Sequence, residues 1–137
     1  MNLDPSAFVA DPALLQSLEK SSTSIACSED RILFRQGDAP TSLYILKSGC
    51  ATLTMNSALG EEIISATASA GYLLGLPGLI GNEPYTLTAV ALAGAKVSYV
   101  TRQSFTALMS ADPMLAFKIL TVLAAEVRSA RNVILQR

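Results

Sequence analysis

Residues 71–86 read GYLLGLPGLIGNEPYT, with four glycines and two prolines between two strand-like runs. Glycines this dense let successive backbone N–H groups turn toward a bound anion, as in loops that cradle phosphate. The same composition also makes a well-packed turn with a short helix, so what surrounds the stretch decides its role. Other chemistry is sparse. Histidine is absent, which removes imidazole general-base catalysis and the commonest metal ligand. Cys27 and Cys50 are the only cysteines and form no CxxC, so two thiols in a reducing compartment are expected and a four-cysteine iron–sulfur cluster is excluded. Ser48, Tyr85 and Thr86 have no base partner to activate them. Neither an enzyme, nor a cofactor, nor a metal site is expected.

The totals describe what must position the stretch. A chain of 137 residues, half apolar and 15% charged, is one domain with a substantial core. A net charge of −1 lacks the basic footprint of a nucleic-acid binder. The first five residues have no basic region and no apolar core, so no signal peptide is expected. Residues 63–82 carry no charge, but the glycines and Pro77 interrupt them and a membrane span is not expected.

Asp11 and Pro12 open a short helix whose Leu14, Leu15 and Leu18 share one face. Six strand-like runs follow, at 31–35, 42–47, 50–55, 62–67, 85–92 and 96–101, separated by Gly-rich turns. Short strands so closely spaced indicate a sandwich or barrel. Helical period then takes over. A short helix begins at Thr101 or Arg102, and Asp112-Pro113 starts a longer one that meets no glycine or further proline before Arg137. Its 25 residues span roughly 37 Å, more than a small barrel needs for cover. One apolar stripe is Leu115, Ile119 and Val122. The second is Ala116, Leu120, Leu123, Val127, Ala130 and Ile134, at the spacing of a coiled-coil seam, and predicts a homodimer.

In this order, Phe34-x-x-Gly37-Asp38, then Leu43-Tyr44-Ile45-Leu46-Lys47-Ser48-Gly49, then Gly75-Leu76-Pro77-Gly78-Leu79, then Arg102-Gln103-Ser104-Phe105 and Asp112-Pro113, resemble the sensor domain of the Crp/Fnr regulators. The resemblance covers nearly the whole chain. It implies a mainly β fold with flanking helices: a double-stranded β-helix jelly roll of the cyclic-nucleotide-binding type. Its parts would be an N-terminal helical segment (1–24), the β-roll (25–101), and a hinge helix with a long dimerising helix (102–137). Gly37 and Gly49 are expected to serve turns.

The resemblance makes Gly75, Leu76, Pro77, Gly78, Leu79, Tyr85 and Thr86 the equivalents of the family's phosphate-binding cassette. Members that bind cyclic AMP place an acidic residue after the first glycine, for the ribose, and an arginine later, for the phosphate. Here the acidic position is Leu76. The arginine position falls on Tyr85 counting back from Phe105, or on Thr86 counting forward from Gly75. No Lys or Arg occurs between Lys47 and Lys96. Losing a buried charge-assisted pair costs about 2–5 kcal/mol, some 30- to several-thousand-fold in affinity, so cyclic nucleotides are expected to bind weakly or not at all. The family's ligand-facing positions on the long helix map onto Ala130 and Arg131, which offers Arg131 as a cation from that side.

The implied function is a cytoplasmic regulatory sensor: a homodimer with an unidentified small-molecule effector, acting in transcription regulation. A structural dimerisation module with an empty or self-filled pocket is the alternative. No second helix pair follows the long helix, so DNA binding by this chain alone is not expected.

Overall fold

In a computed structural model, which describes the backbone of residues 10–135 and the side chains of residues 10–129, two four-stranded antiparallel sheets face each other. The elements run α1 (Pro12–Glu19), β1 (Thr23–Ala26), β2 (Arg31–Phe34), β3 (Ser42–Ser48), β4 (Ala51–Asn56), β5 (Glu62–Ala68), β6 (Leu73–Leu74), α2 (Leu76–Gly81), β7 (Thr88–Ala91), β8 (Lys96–Thr101), α3 (Arg102–Ala111) and α4 (Pro113–Leu135). One sheet has the order β1-β8-β3-β6, the other β2-β7-β4-β5. Together with the flanking helices they make the expected jelly roll.

Strand β3 explains how the layers are held. Its sequence SLYILKS is nearly continuous in apolar residues because both of its faces are covered. Leu46 points between the sheets, with Val97 of β8 and Leu74 of β6. Leu43 and Ile45 point the other way, with Val100 of β8 and Leu73 of β6, against the helices. Leu14 and Leu18 of α1, Phe105 of α3, and Leu115, Ile119 and Val122 of α4 complete that second cluster. The first apolar stripe of α4 therefore lies on its own domain.

Local signals set the helix starts. Asp11 accepts a hydrogen bond from the Leu14 amide at 2.8 Å, capping α1, and Thr101 caps α3 through the Ser104 amide at 3.2 Å. Asp112 accepts from the amides of Met114 and Leu115, which starts α4 directly behind Pro113. At Gly49 the backbone is left-handed (φ 82°), and a Cβ there would sit 2.7 Å from the Ala95 backbone, so the turn and the close approach both require glycine.

Three expectations need correction. Strand β1 begins inside the segment 1–24 read as helical, because Ser21 to Ser24 end the helix and immediately start a strand that pairs with β8. Strand β6 was not expected at all: two residues, inside the glycine-rich stretch, pair with Tyr44 and Ile45. The run 85–92 yields a strand only at 88–91, because Tyr85 is held by other partners, described next.

Candidate ligand site

The glycine-rich stretch folds as β6, a single left-handed residue at Gly75 (φ 91°), and the short helix α2. Beneath it lies a cavity of about 210 Å³. Its floor comes from the inner face of the second sheet: Phe34 on β2, Leu53 and Met55 on β4, and Ile64 on β5. Leu74, Gly75, Pro77 and Gly78 form the cassette wall, and Tyr85, Thr86 and Leu87 form the next. Glu126 and Val127 of α4 close it from the side. Almost all of this lining is apolar.

Five of the seven cassette residues named from sequence line this cavity: Gly75, Pro77, Gly78, Tyr85 and Thr86. Leu76 and Leu79 do not. They are three apart on α2, share the opposite face, and are buried in the helical cluster with Phe105 and Ile119. Neither side chain fills the cavity.

Tyr85 corrects the expectation that its hydroxyl would serve a ligand. Its Oη donates to the Ser42 carbonyl at 2.7 Å and accepts from the amides of Thr41 and Ser42, each at 3.0 Å. Its amide donates to the Asp38 carbonyl and its carbonyl accepts from the Gly37 amide. The ring stacks on Phe34 with centroids 4.1 Å apart. A Cβ on Gly75 would come within 2.9 Å of the same ring. The first glycine of the cassette thus makes room for Tyr85, a reason that needs no phosphate. Removing the hydroxyl in Tyr85→Phe leaves two amides without this acceptor, and is expected to cost about 2–3 kcal/mol, read as a lower urea midpoint at unchanged m.

Glu126 was not singled out from sequence. It is 5% exposed, and neither carboxyl oxygen has a hydrogen-bond partner. Burial raises its pKa from 4.5 to about 8, so the empty site holds mostly the neutral acid at pH 7. The sequence did carry a signal. Extending the spacing Leu115, Ile119, Val122 by four and then three lands on Glu126 and Ser129, and both are buried. A carboxyl on the buried stripe of a helix is the anomaly.

Helix α4 also shows a free apolar face. Met114, Phe117, Leu120 and Val127 are 54–69% exposed. Leu123, placed in the seam from sequence, is half-buried against the helical cluster instead. Phe117, at three residues before Leu120, takes a place on the exposed face that the sequence reading gave to Ala116. The side chains of Ala130, Arg131 and Ile134 lie outside the described residues.

Among the described residues, no group of three or more acidic, Cys or His side chains is placed to hold a metal ion, and no helix is long and apolar enough to cross a membrane.

The family model for the cyclic nucleotide-binding domain matches residues 25–112. Over 98 residues the chain is 29% identical to the Cyclic AMP receptor protein of Thermus thermophilus, covering 72% of this chain and 45% of that protein. Over 107 residues it is 30% identical to the Anaerobic regulatory protein of Aggregatibacter actinomycetemcomitans, covering 78% and 41%. The chain thus spans less than half the length of these curated relatives. Among solved structures, it matches the Catabolite Activator Protein of Thermus thermophilus with a TM-score of 0.77 at 23% identity, covering 93% of this chain and 60% of that one. The sensor domain of the regulator DNR from Pseudomonas aeruginosa matches at 0.67 and 22% identity, covering 89% and 82%.

Proposed function

The chain belongs to the cyclic nucleotide-binding domain family, with homologues among the Crp/Fnr regulators, and from that premise we propose that it is a non-enzymatic sensor module that pairs through α4 and reads a small molecule other than a cyclic nucleotide. One observation carries this reading. The cavity is walled on one side by Gly75, Pro77 and Gly78 and on another by Glu126 and Val127. An occupant touches the cassette and the long helix at once. Its differential affinity for two arrangements of paired α4 helices is then a population shift, the means by which pocket state reaches an output. The site of action is the cytoplasm, where such an output operates.

The cavity disfavours a cyclic nucleotide by its charge. No Lys or Arg lines it, and the ionisable groups that do are Glu126 and Tyr85. An anionic phosphate would meet a buried carboxyl and no cation among these residues. Isothermal titration with cyclic AMP and cyclic GMP is expected to show no binding at micromolar concentration; micromolar or tighter binding of either overturns this part of the reading. The alternative of a dead, self-filled pocket draws no support from Leu76, which is buried elsewhere, or from Tyr85, which stands in the wall.

A further inference from the structure

From Glu126, an unpartnered carboxyl at the edge of an otherwise apolar cavity, we infer that the effector is a small organic amine with an apolar body. The inference rests on the sensor reading above and names the ligand class for the same cavity. Both oxygens of Glu126 lack partners, and the side chain is buried. A buried carboxyl left without hydrogen bonds is destabilising unless something completes it. The surrounding wall offers little: Phe34, Leu53, Ile64, Leu74 and Val127 have no side-chain polar atoms, and the Tyr85 hydroxyl is held by Thr41 and Ser42. The missing groups are donors. An amine supplies several N–H donors from one atom and, as an ammonium, the counter-charge as well.

Size and shape fix the rest of the ligand. A lined, dry cavity of 150 Å³ holds a benzene ring, so about 210 Å³ holds a ring or a branched aliphatic body with a short arm. The body lies on Phe34, Leu53 and Ile64, and the arm reaches Glu126.

Ionisation adds a signature. The only other titratable side chain on the cavity wall is Tyr85, whose hydroxyl is engaged. In the empty site at pH 7 Glu126 is mostly protonated, given its pKa of about 8. An ammonium binds the carboxylate. Binding therefore releases the carboxyl proton to buffer while the amine keeps its own, close to one proton per site.

The test uses the whole chain and 2-phenylethylamine, with 2-phenylethanol and 3-phenylpropionate as the neutral and anionic controls. Titration at pH 7 in phosphate and in Tris reads proton release from the difference in apparent heat. The amine is expected to bind at least tenfold more tightly than either control, with nearly one proton released. In Glu126→Gln the preference for the amine is expected to fall at least tenfold, with 2-phenylethanol binding within threefold of its original value. Equal binding of amine and alcohol, tighter binding of the anion, an unchanged amine preference in Glu126→Gln, or no binding of the amine up to millimolar concentration each overturn the inference. So does amine binding without proton release, which would mean that Glu126 already has a counter-charge, for instance from a second copy. These failures leave the sensor reading intact, since that stands or falls on the cyclic nucleotide titration and on assembly through α4.

Discussion

At pH 8.5 the protein is expected to melt at a clearly lower temperature than at pH 5.5, and Glu126→Gln to remove most of that difference. The cause is the same buried carboxyl. Its pKa lies near 4.5 when exposed and at about 8 in the fold. Between those values the unfolded chain has released the proton and the folded chain still holds it. The folded state binds more protons, so stability falls as pH rises across the window. Full stability is present below about pH 4.5, and the loss levels off above about pH 8, where the folded carboxyl also ionises. Each pH unit in the window is worth about 1.4 kcal/mol, which integrates to roughly 3–5 kcal/mol. Against the 5–15 kcal/mol that typically holds a domain together, that is a large share. For a domain of this size it corresponds to a shift on the order of 10 °C. The Gln variant keeps the shape and has no proton to lose, so its melting temperature is expected to change little between the two pH values and to exceed the parent's at pH 8.5. Calorimetry of both proteins in matched ionic strength decides it. A parent that melts alike at the two pH values, or a variant that keeps the parent's slope, would show that Glu126 is not the group responsible.

The parts of the fold visible in the sequence were those with strong local signals. Asp11-Pro12 and Asp112-Pro113 mark helix starts through caps that the structure bears out. The strands at 31–34, 42–48, 51–56, 62–68 and 96–101 announced themselves by β-branched and aromatic residues between turns. Strand β1 did not, because three of its four residues are exposed and its place is set by pairing with β8, a partner 70 residues away in sequence. Strand β6 is two residues long and has no period to read. In the site, composition located the cassette but not its facing. Leu76 and Leu79 are on the buried side of α2 because a helix turns about 100° per residue, and only the packing of α3 and α4 tells which side is covered. Tyr85 was legible as a departure from the family's arginine, yet its hydrogen bonds to Thr41 and Ser42 join residues more than 40 apart and had no local signature. Substitutions designed from motif position alone, such as Leu76→Glu with Tyr85→Arg, would bury a carboxylate in the helical cluster and break the Tyr85 hydrogen bonds before they built a nucleotide site.

Leu120→Glu is expected to convert a dimer to a folded monomer. The exposed face of α4 carries Phe117, Leu120, Ala124 and Val127 at 3-4-3 spacing, the pattern of one seam of a helix pair. Leu120 is 54% exposed in the single chain. A glutamate there remains in water when the chain is alone, so the substitution is expected to change the stability of the monomer by less than about 0.5 kcal/mol. In a pair of helices related by two-fold symmetry the same carboxylate is buried twice, once from each copy, without a counter-charge. A lone buried charge of this kind costs about 3–5 kcal/mol, which is two to four orders of magnitude in the dissociation constant. Leu123→Glu would not separate the two effects, because Leu123 packs on its own domain and its loss is felt by the fold as well as by the pair. Sedimentation velocity at micromolar concentration is therefore best read for Leu120→Glu beside the parent, with a circular dichroism melt to show that the variant is folded. A dimeric parent and a monomeric variant with an unchanged melt place the interface on this face. A variant that stays dimeric moves it elsewhere, and a monomeric parent removes the coupling by which an occupant of the cavity would reach a second copy.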